Sequence, residues 1–198
     1  MGEIVDGICD HLSHLILYLT LGVILARTMG AWAWPVTIIS GASRALQSMS
    51  YETARRSYRH WVYGVNWIRQ DVGKAAKTGA SGRAGAALAS LYLVLSRWVS
   101  ADDHALDEVM GRLVADGGKA AAARALYQPQ ERILVKRASW LSTDFETIGV
   151  FLSLMAGSAL YFLAFQATVL NLVMAWCVAS QVSSYARLLP QLKALEQS

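Results

Sequence analysis

The sequence predicts an all-α fold: a polytopic helical membrane protein with about three to four membrane segments, an amphipathic interfacial helix and a small soluble helical hairpin. Three observations carry that expectation. Only 16% of the 198 residues are charged while 55% are hydrophobic, against about 25% charged in an ordinary soluble domain, so the chain lacks the polar surface to coat a globule in water. No segment alternates with period two, as a half-buried strand would, and only three prolines interrupt an alanine-rich chain. The stretch 148–184 runs for 37 residues without one charged side chain.

Residues 1–47 form the N-terminal membrane region. The apolar stretch 12–26 is about 15 residues long, short of the roughly 20 that a spanning helix needs. After Arg27 a second stretch, 31–46, resumes with Trp32, Trp34 and Pro35. Two arrangements fit. One is a long helix over 10–40 kinked at Pro35, with Arg27 snorkelling and both tryptophans at an interface. The other is a span over 12–26 followed by a short interfacial piece. Glu3, Asp6 and Asp10 stand where a signal peptide carries positive charge, so the segment reads as retained.

Residues 51–72 are the amphipathic interfacial helix. At the helical period Ala54, Tyr58, Trp61, Val65, Ile68 and Val72 share one face, and Glu52, Arg55, Arg59, Asn66 and Gln70 the other. Aromatics on the apolar side and arginines on the polar side suit a helix lying among lipid headgroups. The candidate lipid-contacting residues are therefore Arg55, Tyr58, Arg59, Trp61 and Ile68. Packing on a neighbouring domain would need the same pattern. A glycine-rich basic connector and a short apolar helix follow over 73–99. There Gly82, Ala86 and Ser90 recur every fourth residue, a spacing that lets helices approach closely. The apolar run 84–99 suits either a buried bundle helix or a short span.

Residues 100–137 form the soluble hairpin. Ser100 with Asp103 caps a first helix, Asp116–Gly117–Gly118 stops it, and a second helix over 119–127 ends before Pro129. The charges of Asp102, Asp103, Asp107, Glu108 and Arg112 read as a solvated face. Residues 143–189 are a C-terminal membrane hairpin or one long helix. Thr143 and Glu146 have the spacing of a capping box, and the uncharged stretch after them is long enough for two helices of about 18 residues. Lys136 and Arg137 precede it and Arg187 and Lys193 follow, so the positive-inside rule sets both flanks on one side. That favours a hairpin turning near 165–168 over a single tilted helix. The same rule puts the basic stretch from Arg44 to Arg83, and the chain through Arg137, in the cytoplasm, or on the matrix side of an organelle, with the acidic N-terminus outside. Gly149, Ser153 and Gly157 make a small-residue stripe for helix contact. Gln166 and Asn171 are polar at membrane depth, where side chains bond between helices or line a water path.

Catalytic chemistry is not expected. The chain carries no nucleophile elbow, P-loop, HExxH helix or dinucleotide-binding glycine pattern. Its net charge of +4, with basic residues beside apolar runs, suits anionic lipid more than nucleic acid. Cys9, Asp10, His11 and His14 form the one ligand-like cluster, with His11 and His14 sharing a helix face. A metal site needs three or four convergent ligands, so neither a metal nor another cofactor is expected. Together the residues imply a non-catalytic integral-membrane component of a larger assembly. Its partners would be anionic lipids and other membrane subunits or further copies of itself. The expected location is a bacterial inner membrane, or an organellar one. A secretion or conjugation apparatus and a respiratory or ATP-synthase-type complex fit equally. A self-oligomerising pore lined by Gln166 and Asn171, and a redox subunit using His11 and His14, are the alternatives.

Overall fold

The computed structural model describes residues 2–65 and 104–197, with side chains from Leu12 onward. Among the described residues every regular element is helical: α1 (Gly2–Met29), α2 (Ala33–Tyr63), α3 (His104–Ala115), α4 (Ala120–Ala138), α5 (Thr143–Met155), α6 (Ala159–Ala167) and α7 (Val169–Gln197). Short 3₁₀ turns occupy Gly30–Trp32 and Ser139–Leu141. The all-α expectation is met. Among the described residues two stretches, Leu12–Tyr63 and Ala159–Gln197, are long and apolar enough to cross a membrane, where three to four segments were expected of the whole chain. The connector over 73–99, with Gly82, Ala86 and Ser90, lies outside the described residues, as does Ile68. The chain divides into two units, each drawn from distant parts of the sequence: Met1–Ser48 with Leu141–Leu172, and Met49–Trp140 with Val173–Ser198.

In the first unit α1 and the start of α2 run antiparallel. Gly30 adopts φ +59°, a left-handed conformation that glycine takes without steric cost, and the chain reverses there. A Cβ on Gly22 would meet Thr37 and Trp34 at 3.2 Å, and one on Gly41 would touch the Tyr18 ring at 3.6 Å. Residues 15 apart on one helix would be separated by about 22 Å, so the single long helix kinked at Pro35 is excluded. Pro35 instead sits in the first turn of α2, where its missing N–H serves no carbonyl.

A second hairpin joins α5 and α6. Its turn is at Ala156–Gly157–Ser158, not near 165–168, because Gly157 can take φ +88° while the later segment has no such residue. Around Thr168 the helical bonding carries on: Thr168 donates to the Ala164 carbonyl and Leu172 to that of Thr168, both at 3.0 Å. The small-residue stripe is therefore split. Gly149 is a contact, since a Cβ there would meet the Phe162 ring at 3.2 Å. The Ser153 hydroxyl donates to the Ser158 carbonyl at 2.6 Å and accepts from the Phe162 N–H at 2.9 Å. At Gly157 nothing among the described residues lies within 4 Å of a built Cβ. Gly157→Ala is expected to lower stability by about 1–2 kcal/mol through backbone conformation alone. Thermal unfolding in detergent checks this, and an unchanged midpoint would free the turn from its need for glycine.

The second unit contains α3, α4, the end of α2 and most of α7. Leu106, Val109, Met110 and Leu113 of α3 form its core with Trp61, Ala123, Tyr127, Tyr185, Leu188 and Leu192. The α3–α4 turn forms where the glycines predict it, with Lys119 donating to the Asp116 carbonyl at 3.0 Å and Gly118 to the Asp116 carboxylate at 3.3 Å. However, α4 does not stop before Pro129 but continues to Ala138. Pro129 is exposed, so water can satisfy the carbonyl its ring leaves without a donor. The exposed Pro190 lies likewise within α7, which runs to Gln197 rather than ending at 189. The amphipathic helix expected over 51–72 is the end of α2 and stops at Tyr63. Gly64, at φ +70°, donates to the His60 carbonyl at 2.9 Å and closes it in a left-handed cap.

Candidate functional site

The first unit hides polar side chains and exposes apolar ones. On α2 a seam of Ala33, Thr37, Ser40, Arg44 and Gln47, spaced alternately four and three residues apart, is buried. On the opposite face Ile38 and Ile39 are 66% and 58% exposed. On α1, Tyr18, Leu21 and Leu25 turn inward while Leu15, Ile16, Leu19, Val23 and Ile24 face out. Water would favour the reverse distribution.

At one level of this seam stands an ion pair. Arg44 and Glu146 retain 4% and 2% of their side-chain exposure, and Nε lies 2.7 Å from Oε2. That contact lacks hydrogen-bond geometry, but the guanidinium's other nitrogens have partners. Nη1 donates to the Leu141 carbonyl at 2.7 Å and Nη2 to the Thr143 hydroxyl at 2.9 Å. The Tyr18 hydroxyl donates to Glu146 Oε1 at 3.2 Å, and His14 Nε2 sits 3.0 Å from Oε2. A buried charge is tolerable only when paired and hydrogen-bonded. Here α1, α2 and α5 each supply part of that compensation.

A second layer is built on Gln47, whose Nε2 donates to the Gln166 carbonyl at 3.1 Å and to Asn171 Oδ1 at 2.8 Å. Gln166 Nε2 returns a bond to Gln47 Oε1. Asn171 Nδ2 donates to the Ser43 hydroxyl and to the Ala167 carbonyl, both at 2.9 Å, and the Ser40 hydroxyl donates to the Leu163 carbonyl at 2.8 Å. Gln166 and Asn171, singled out in the sequence, are thus brought together on one partner.

Three other residues take places the sequence reading did not assign them. Glu146 does not close a capping box: α5 begins at Thr143 after Ser142, with no side-chain cap, and the carboxylate turns inward to Arg44. Arg44 is no free cytoplasmic charge, because its neutralised guanidinium is buried. His14 lies against Glu146, while the side chains of Cys9, Asp10 and His11 lie outside the described residues. Among the described residues no three His, Cys, Asp or Glu side chains stand close enough to hold a metal. The recoverable signal was the polar seam at 37, 40, 44 and 47, which has the spacing of a helix contact.

In the second unit Trp61 does not face headgroups. It is 8% exposed within the protein core, and its indole N–H donates to Asp107 at 3.0 Å. Asp107 is therefore not simply part of a solvated face. Tyr58 packs half-buried beside that core, because α3, α4 and α7 cover the apolar face of α2. Arg55 and Arg59 are exposed as expected, and Arg55 lies 3.1 Å from Glu52.

The same unit buries Glu131 completely, and neither carboxylate oxygen has a partner among the described residues. Burial pushes this carboxyl up to about 8. The folded protein then keeps a proton that the unfolded chain releases near pH 4.5, so stability declines as pH rises from about 4.5 to about 8. Glu131→Gln is expected to flatten that decline and to raise stability most at pH 8. Unfolding midpoints across the window test it; an unaltered slope would place the titration elsewhere.

No protein-family model matches the chain, and no curated protein or solved structure matches it either.

Proposed function

We propose that this chain is a non-catalytic integral-membrane component of a larger membrane assembly, in a bacterial inner membrane, acting through helix–helix and lipid contacts. The observation that carries this reading is the inverted distribution in the first unit. Its polar groups are spent on one another inside, and its outer surface is Leu, Ile, Val, Phe and Trp, with Trp32, Phe151 and Met155 each more than 60% exposed. Such a surface needs acyl chains or other apolar helices around it. The bonds that Gln166 and Asn171 make to Gln47 and Ser43 within one chain favour a helix-contact role for them over the lining of a pore.

Purification in mild detergent followed by native mass measurement tests the proposal. Stable association with different membrane subunits is the expected result. A homomeric ring would favour the pore, and a bound chromophore or metal the redox subunit; either outcome would overturn the component reading.

A further inference from the structure

Within the second unit α4 and α7 lie antiparallel, as two contacts fix: the Ser184 hydroxyl donates to Gln130 at 3.2 Å, and the Arg137 guanidinium stands 5.0 Å from the centre of the Trp176 ring. Between them runs an open groove of about 630 Å³. Its polar lining includes Gln130, Arg137, Ser180, Ser183, Arg187 and Gln191, and no acidic residue. Four described arginines meet carboxylates: Arg44 meets Glu146, Arg55 and Arg56 meet Glu52, and Arg112 meets Glu108 and Glu196. Arg137 and Arg187 have no carboxylate partner among the described residues. Arg187 donates from Nε to the Ser183 carbonyl at 3.1 Å, which folds its guanidinium back along the groove and leaves its two terminal nitrogens to other acceptors. Arg137 is steadied by the Trp176 face, a contact that leaves the edge of the guanidinium free.

We propose that this groove is a binding site for a phosphate ester, with Arg137 and Arg187 as its charged donors and serine hydroxyls and glutamine amides between them. Guanidinium groups bind phosphate oxygens in paired, charge-assisted hydrogen bonds, and hydroxyls and amides add neutral donors. The phosphate has two possible sources, an anionic phospholipid headgroup or a soluble phosphate ester. Exposed apolar side chains of Ile133, Trp176 and Val182 beside the groove suit the lipid, whose chains need such a border. The proposal rests on the groove and not on membership of an assembly.

The test uses the full chain in nanodiscs, comparing wild type with the double variant Arg137→Gln/Arg187→Gln and with Lys136→Gln as a neighbouring basic control. Both arginines are exposed, so the fold should survive, and circular dichroism with size-exclusion checks it. Native mass spectrometry after mixed phosphatidylglycerol–phosphatidylcholine loading reads retained lipid, and calorimetry with glycerol phosphate reads the soluble source. Wild type and Lys136→Gln should retain phosphatidylglycerol at least tenfold more than the double variant, with phosphatidylcholine retained equally by all. Arginine-dependent binding of glycerol phosphate without lipid retention would uphold the phosphate site and assign it to a soluble ester. Equal retention by a folded double variant, with no arginine-dependent binding of glycerol phosphate, would overturn it.

Discussion

Glu146→Ala should destabilise the protein by about 3–5 kcal/mol, the cost of leaving a buried charge without its partner. The loss reaches beyond the pair. Arg44 is 4% exposed and cannot swing to solvent without giving up its bonds to Leu141 and Thr143, and Tyr18 and His14 lose their common acceptor. Arg44→Ala should cost a similar amount, whereas the double change Arg44→Met/Glu146→Leu should recover most of it, because apolar groups of like volume need no counter-charge. Denaturant or thermal unfolding in detergent, run on both single alanine variants and on Arg44→Ala/Glu146→Ala as a double-mutant cycle, measures the coupling, and the apolar double change is compared with wild type. Additive effects of the two single changes would mean the pair contributes nothing as a pair.

A comparable loss is expected at Trp61. Trp61→Ala empties a large volume among Leu106, Met110, Leu113 and Tyr127 and strips Asp107 of its indole donor, for an expected cost of about 3–5 kcal/mol. Arg59→Ala, two residues away on the exposed face, should leave the unfolding midpoint where it was. The contrast separates a core tryptophan from one anchored among headgroups. An anchor would show its loss in membrane binding while the unfolding midpoint stayed fixed; a core residue does the opposite.

The helical class was legible because composition and period speak directly to it, and the α3–α4 turn because Asp116, Gly117 and Gly118 carry their own backbone preference. Other turns were misread for local reasons. Gly30 and Gly157 set the two reversals of the first unit, yet each lies in a stretch apolar enough to read as continuous helix. Pro129 and Pro190 suggested helix ends, but both fall on exposed faces where a missing donor costs little. The site was half legible. Gln166 and Asn171 stood out because polar residues in an uncharged run need an explanation. Arg44 and Glu146 did not, since each sits at the margin of such a run and resembles a flanking charge. Their pairing is a property of tertiary packing between helices about a hundred residues apart. Period alone does not say whether an apolar face meets lipid or protein, and for Trp61 the elements that decided it lie far along the chain.

The Arg44–Glu146 pair also carries a consequence in time. A ribosome extends a chain at about 5–20 residues per second, so α2 is made some 5–20 seconds before the carboxylate that neutralises its arginine. In a membrane-inserted chain the translocon would meet Arg44 alone, a charge that disfavours entry by about 2.5–3.5 kcal/mol at the bilayer centre. The first hairpin would therefore wait near the headgroups, its seam wetted, and sink only once α5 arrives. Burial of the N-terminal third would thus depend on synthesis of the last third, and a chain truncated before residue 146 would be left with a hairpin unable to settle.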